Sequence, residues 1–100
     1  MPTIDYAPMH LQASVGQALQ IELESLPGAG MVWQAPAAPA GCTLNVAGSR
    51  ALGVGVGGPV MQCFVLNCDH AAEHVLQFEL KRAWEIEVRA LQPVWVTLRQ

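Results

Sequence analysis

Four of the six cysteines and histidines in this chain of 100 residues, types that metal sites and nucleophilic catalysis use, fall within twelve consecutive positions. Cys63 and Cys68 stand in a C-x4-C spacing and His70 and His74 in H-x3-H, the ligand types of a zinc site. Cys63 and Cys68 are an odd number of positions apart, so on one continuous strand they point to opposite faces and cannot share an ion. No metal and no cofactor are therefore expected. Cys63 reads instead as a small core residue, and Cys68, His70 and His74 as a strand end and its turn. Hydrolysis finds no support either, because the chain has no Gly-x-Ser-x-Gly elbow and is too short to wall off a water-excluding cleft. Gly55-Val56-Gly57-Gly58-Pro59 lacks the Gly-Lys-Ser/Thr ending of a phosphate loop and no helix signal follows it. An enzyme is not expected.

Recognition is the chemistry that the remaining residues offer. Leu26-Pro27-Gly28-Ala29-Gly30 leading to Trp33, Gly55-Val56-Gly57-Gly58, and Arg82-Ala83-Trp84 stand well apart, each at the end of an apolar run that reads as a strand. Folding would present them as loop tips on a rigid scaffold, which is how binding surfaces are commonly built. Taken singly, each has a plainer reading. Pro27, Gly28 and Gly30 suit any sharp turn, residues 53–58 suit a flexible connection, and Trp84 could pack back on its own sheet.

The elements that must position these segments are strands. Leu19, Ile21 and Leu23 alternate with Gln20, Glu22 and Glu24, so residues 17–24 predict a strand with one dry face. Residues 31–34, 43–46, 60–66, 74–80 and 94–98 predict further strands, the last from its β-branched and aromatic content. Residues 35–41 carry Pro36 and Pro39, which keep them out of a central ladder and suggest an extended crossover rather than a domain linker. Residues 84–90 alternate strictly as well and read as a strand, or as the projecting arm of a long hairpin. Trp33 is expected in the core, and Trp95 against its own sheet, flanked by Val94 and Val96 on the opposite face. No apolar stripe at helical period and no internal repeat occurs. Seven or so short strands divided by Gly/Pro turns predict an all-β protein, a two-sheet antiparallel β-sandwich.

Composition fits one domain over residues 1–100: 52% of the residues are hydrophobic and 13% charged, enough for one core and not two. Eight acidic against five basic residues give a formal charge of −3, and no basic run exceeds Lys81-Arg82, so nucleic acid is not an expected partner. Asp5, Pro8 and His10 interrupt the opening residues, which predicts no signal peptide, and no apolar stretch approaches the roughly 18 residues that span a bilayer. The chain as written is expected to be soluble, unexported, off the membrane and monomeric, with periplasm or secretion following only if a signal precedes it. Three cysteines argue against a closed disulfide framework and leave at least one free thiol.

Order and spacing of the three segments resemble the chagasin-type inhibitors of papain-like cysteine peptidases, along roughly residues 11–100. In that family a strand after a Val-Gly turn leads to an Asn-Pro-Thr-Thr-Gly loop with a Trp three residues on. Here Val15-Gly16, residues 26–30 and Trp33 stand in those places. The family's Gly-x-Gly-Gly loop before a Phe-bearing strand is answered by Gly55-Val56-Gly57-Gly58 and Phe64, and its Arg-Pro-Trp by Arg82-Ala83-Trp84. The chain departs from the pattern at Leu26, Gly28, Ala29 and Ala83.

The resemblance implies an immunoglobulin-like sandwich of seven to eight strands that inhibits papain-like cysteine peptidases reversibly and without covalent chemistry, its three loops occluding the active-site cleft. Pro27, Gly28, Ala29, Gly30, Gly55, Val56, Gly57, Gly58, Arg82, Ala83 and Trp84 would form the peptidase-binding surface. Gly28 and Ala29 would let backbone approach the catalytic pair closely, while Pro27 would lower the ordering cost. Trp84 would bury area against the cleft wall, and Arg82 beside it could pair with a carboxylate or stack on a ring. Without the two Thr hydroxyls, each able to contribute about 0.5–1.5 kcal/mol, a weaker or differently selective inhibitor is expected. The alternative is an immunoglobulin-like interaction module that keeps the fold and binds something else.

Overall fold

Period-two alternation runs through the chain, and in the computed structural model, which describes residues 3–25, 30–53 and 58–100, it resolves into eight strands. These are β1 (Ile4–Asp5), β2 (Met9–Ser14), β3 (Leu19–Ser25), β4 (Met31–Gln34), β5 (Cys42–Ala51), β6 (Val60–Cys68), β7 (Ala72–Arg82) and β8 (Ala90–Arg99). The described residues contain no helix, and so none long and apolar enough to cross a membrane. The protein is all-β, as the turn spacing predicts.

Two sheets face each other. One has the order β1-β8-β7-β4, with β2 continuing β1 along the same edge of β8; the other has the order β3-β6-β5. All pairings are antiparallel except those of β1 and β2, which run parallel to β8. Between Asp5↔Leu91 and Met9↔Val94 the edge strand advances four residues while β8 advances three. Pro8, which has no N–H to donate, sits in this irregularity, and the buried Gln92 amide donates to the Ala7 and Pro93 carbonyls there.

The inward residues make one apolar layer: Ile21 and Leu23 of β3, Phe64 and Leu66 of β6, Leu76 and Phe78 of β7, and Val94, Val96 and Leu98 of β8. Phe64 and Phe78 meet across the two sheets with ring centroids 5.0 Å apart. Such a pair contributes about 0.5–1.5 kcal/mol beyond its buried area. Residues 35–41 carry the chain from β4 in one sheet to β5 in the other, the crossover that Pro36 and Pro39 predict. A bulge between Val46 and Gly48 interrupts β5, and Gly48 takes the positive φ of 107° that the irregularity needs.

Two expectations change. Residues 83–89 are a loop, and β8 starts only at Ala90. Alternation misleads here because Ile86, 95% exposed, faces no sheet, and ionic contacts rather than a ladder shape the segment. Cys63 is not in the core: β6 turns Phe64, Leu66 and Cys68 inward, so Cys63 faces out between Glu22 and Gly48 on the neighbouring strands. One disulfide closes, between Cys42 and Cys68, directly opposite each other on β5 and β6, leaving Cys63 free. A loop of this length is worth about 3.5 kcal/mol in the chain-entropy account. Trp33 is buried as expected, and Trp95 lies against its own sheet on the face opposite Val94 and Val96, edge-on to His10 at 4.9 Å and 46% exposed.

Candidate functional site: one end of the sandwich

Strand register decides where the loops lie. Ser25, Val60 and Ala51 are laterally paired, so β3 ends, β6 begins and β5 ends in one row. In the facing sheet Met31 pairs with Arg82 and Leu80 with Ala90, so β4 and β8 begin where β7 ends. The β3–β4, β5–β6 and β7–β8 connections, which hold the three segments singled out from sequence, therefore emerge from the same end of the sandwich. Pro27, Gly28, Ala29, Gly55, Val56 and Gly57 lie outside the described residues; Gly30, Gly58, Arg82, Ala83 and Trp84 lie within them.

Trp33 ties the two sheets beneath this end. Only 6% exposed, it donates from Nε1 to the Glu24 carbonyl at 2.7 Å, anchoring the entry to the first loop. Its backbone N–H donates to Gln62 Oε1 at 2.7 Å and its carbonyl accepts from Gln62 Nε2 at 3.3 Å, so a β6 side chain satisfies the free edge of β4. Tyr6 packs at 6.2 Å from the Trp33 ring. The second loop is closed at its stem by Leu52 N–H donating to the Pro59 carbonyl at 3.1 Å.

The third loop is held by charge. Glu85 accepts from Arg89 Nη2 at 2.8 Å and from Arg82 Nη1 at 3.3 Å, and its N–H donates to the Arg82 carbonyl. Hydrogen bonding to Arg89, and secondarily to Arg82, holds the Glu85 carboxyl below its ordinary range, and the same Glu85 contact raises Arg89. Arg89 N–H donates to the Leu80 carbonyl at 2.7 Å, closing the base. The Arg82 guanidinium thus already has a carboxylate within its own loop, so its first role is to shape that loop.

With the base fixed, Trp84 projects from the tip, 72% exposed. Its six-membered ring rests on Gly30, the last residue of the first loop. A Cβ at Gly30 would lie 2.5 Å from Trp84 Cη2 and 3.0 Å from Cζ3, and Gly30 has a φ of +79°. The backbone conformation favours glycine there, and a methyl would displace the Trp84 ring from its seat. Around Gly58 no described atom lies within 4 Å of where a Cβ would be, and its φ is not positive.

Two residues that the sequence reading passes over complete the site. Gln62 is a polar residue at an inward position of β6, and Glu85 stands three residues after one arginine and four before another. Both patterns are visible in the sequence, although only the fold makes partners of them. The zinc-type residues lie elsewhere. Cys68 and His74 sit at the opposite end of the sandwich, Cys63 is on the wrong face to join them, and the group brought together is Cys42, Cys68 and His74.

No protein-family model and no curated protein matches the sequence. Solved structures do. PbICP-C, solved in complex with falcipain-2, superposes with a TM-score of 0.70 at 16% identity, over 97% of this chain and 91% of that one. The solution structure of amebosin matches with a TM-score of 0.66 at 15% identity, covering 99% of this chain and all of that one. EhICP2, the cysteine protease inhibitor from Entamoeba histolytica, matches with 0.63 at 16% identity, over 99% and 100%. The eight-stranded sandwich therefore has the fold of the chagasin-type inhibitors that the three loop segments resemble.

Proposed function

We propose that this protein is a reversible, non-covalent inhibitor of papain-like cysteine peptidases, with residues 1–100 acting as one inhibitory domain. The observation that carries this reading is that the strand ends bearing the three loops lie at one end of the sandwich, with Trp84 of the third loop exposed and seated on Gly30. PbICP-C, of the same fold, was solved with falcipain-2 bound, and EhICP2 is named a cysteine protease inhibitor, which supports the target class.

Shape does the work in such a mechanism. A papain-like cleft exposes a reactive thiol, and a protein that fills the cleft without offering a scissile bond in register blocks it without being cut. Gly28 and Ala29 of the first loop carry the smallest side chains and would let backbone come close to the thiol–imidazole pair. Gly57 and Gly58 would offer backbone groups to one cleft edge in the manner of an added strand. Trp84 would lie against the other wall, where a ring with two rotatable bonds buries large area at small entropic cost. Clamping by Glu85 and seating on Gly30 order the third loop before binding, which lowers the free energy lost on association.

The test is a titration into papain and one cathepsin-like peptidase, following a fluorogenic peptide and the integrity of the added chain. Reversible inhibition by an uncut chain is expected, and Trp84→Ala is expected to weaken it by about 2 kcal/mol, roughly thirtyfold. No inhibition at micromolar concentrations of folded protein would instead favour an interaction module with another partner.

A further inference from the structure

At the end of the sandwich away from the loops, the chain gathers a second set of groups with no part in that reading. Cys42 and Cys68 face each other on β5 and β6, and His74 reaches them from β7 of the opposite sheet, with Nε2 3.6 Å from Cys42 Sγ. The two sulfurs and one His74 nitrogen all lie within 4.8 Å of one another. His70 stands beside them, its ring perpendicular to that of His74 with centroids 5.9 Å apart. Asp69 Oδ1 is 2.7 Å from His70 Nδ1, leaving Nε2 of that ring for another partner. Gly41, at a φ of +78°, makes room for this arrangement: a Cβ there would lie 2.5 Å from His70 Cε1 and 2.6 Å from Asp69 Oδ1.

We propose that reduction of the Cys42–Cys68 disulfide creates a zinc site in which Cys42, Cys68, His74 and His70 are the ligands, joining the two sheets where the disulfide now joins two strands of one sheet. The geometry is close to what the ion needs. With Zn–S near 2.3 Å and Zn–N near 2.05 Å, a tetrahedral S···N edge is about 3.6 Å, the separation already present between Cys42 and His74. Two imidazoles on one tetrahedral ion have ring centres about 5–6 Å apart, as His70 and His74 nearly do. The sulfurs must open to about 3.8 Å, and the half-exposed His70 must turn inward. Asp69 then holds His70 by its other nitrogen, the arrangement that commonly orients a metal-binding histidine.

The chemistry balances in two steps. A dithiol reductant gives up two electrons and two protons, forming its own disulfide as the Cys42–Cys68 bond breaks and two thiols form. Zinc then displaces those two protons to solvent and is held by two thiolates and two neutral imidazoles, with no further electron transfer. Cys63, on the outer face of β6, takes no part.

The test uses the full chain, reduced anaerobically with a phosphine, which becomes the phosphine oxide with oxygen from water, and then freed of reductant. Cobalt(II) is added as the probe. The expected result is one ion per chain, with a thiolate-to-cobalt charge-transfer band and tetrahedral visible absorption that zinc displaces. The oxidised protein shows neither, and zinc raises the melting temperature of the reduced protein. His74→Ala and His70→Ala each weaken zinc binding at least tenfold, and Cys63→Ala leaves it unchanged. A reduced, folded chain that binds no cobalt overturns the proposal. So does binding that Cys63→Ala abolishes, equal affinity in either histidine variant, or a reduced chain that stays unfolded in saturating zinc. None of these readouts involves a peptidase.

Discussion

Gly30→Ala probes the contact between the first and third loops. The substitution acts twice. It forces alanine into a φ of +79°, where L-residues lose about 1–2 kcal/mol, and it drives a methyl to 2.5 Å from Trp84 Cη2 where ordinary contact starts at 3.4 Å. The ring must therefore retreat by about 0.9 Å (3.4 − 2.5) or leave its seat altogether. The backbone part is independent of Trp84, whereas the steric part vanishes once the ring is gone. A double-mutant cycle with Trp84→Ala separates them. In the wild-type background Gly30→Ala should cost about 2–4 kcal/mol, and in the Trp84→Ala background only the backbone part of about 1–2 kcal/mol, leaving a coupling of about 1–2 kcal/mol. Denaturant unfolding with matched slopes measures both legs, and indole fluorescence reports whether Trp84 moves. Strict additivity of the two substitutions would refute the claim that Gly30 seats the ring.

Other perturbations reach the remaining parts of the site. Gly58→Ala should leave stability unchanged or raise it by up to about 1 kcal/mol, since its backbone and surroundings accept a methyl, while inhibition weakens if peptidase backbone approaches there; thermal melts and inhibition constants measured side by side check this. Glu85 is held below its ordinary value of 4.5 in the folded chain, so the clamp contributes fully above that pH and is lost as pH falls through the lowered value. Wild type and Glu85→Gln should accordingly differ in stability at neutral pH and converge in acid, as paired unfolding curves would reveal. Reducing the disulfide in a chelator should lower stability by about 3.5 kcal/mol and the melting temperature by roughly 15 °C, read by calorimetry.

Much of this architecture is legible because burial leaves a local trace. Ile21 and Leu23 alternate with charged neighbours, and β4 runs from Met31 to Gln34 as its residues predict. Met9, Leu11 and Ala13 alternate with His10, Gln12 and Ser14 and so carry the trace of β2, but its partner β8 is at the far end of the sequence and the signal is short. Residues 84–90 carry the same alternation and are not a strand up to Ala90, because Arg82, Glu85 and Arg89 satisfy one another before a ladder can form. Periodicity reports which residues could share a face and is silent on whether a face exists to receive them. Pairings between distant residues leave no trace of this kind. Nothing in the spacing of three cysteines selects Cys42–Cys68, and nothing local marks Gly30 as the seat of Trp84 or Gln62 as the partner of Trp33. The three segments are legible as loops from Gly and Pro chemistry, and the gathering of the strand ends that carry them at one end follows only from register.

The most direct measurement of the central claim compares binding to papain with an open cleft and to papain whose cleft is filled by a covalently attached peptidyl blocker, by calorimetry at equal concentrations. Binding to the open enzyme that disappears on the blocked one, and weakens in Trp84→Ala, is the predicted result. Equal binding to both would place the contact outside the cleft and contradict the account.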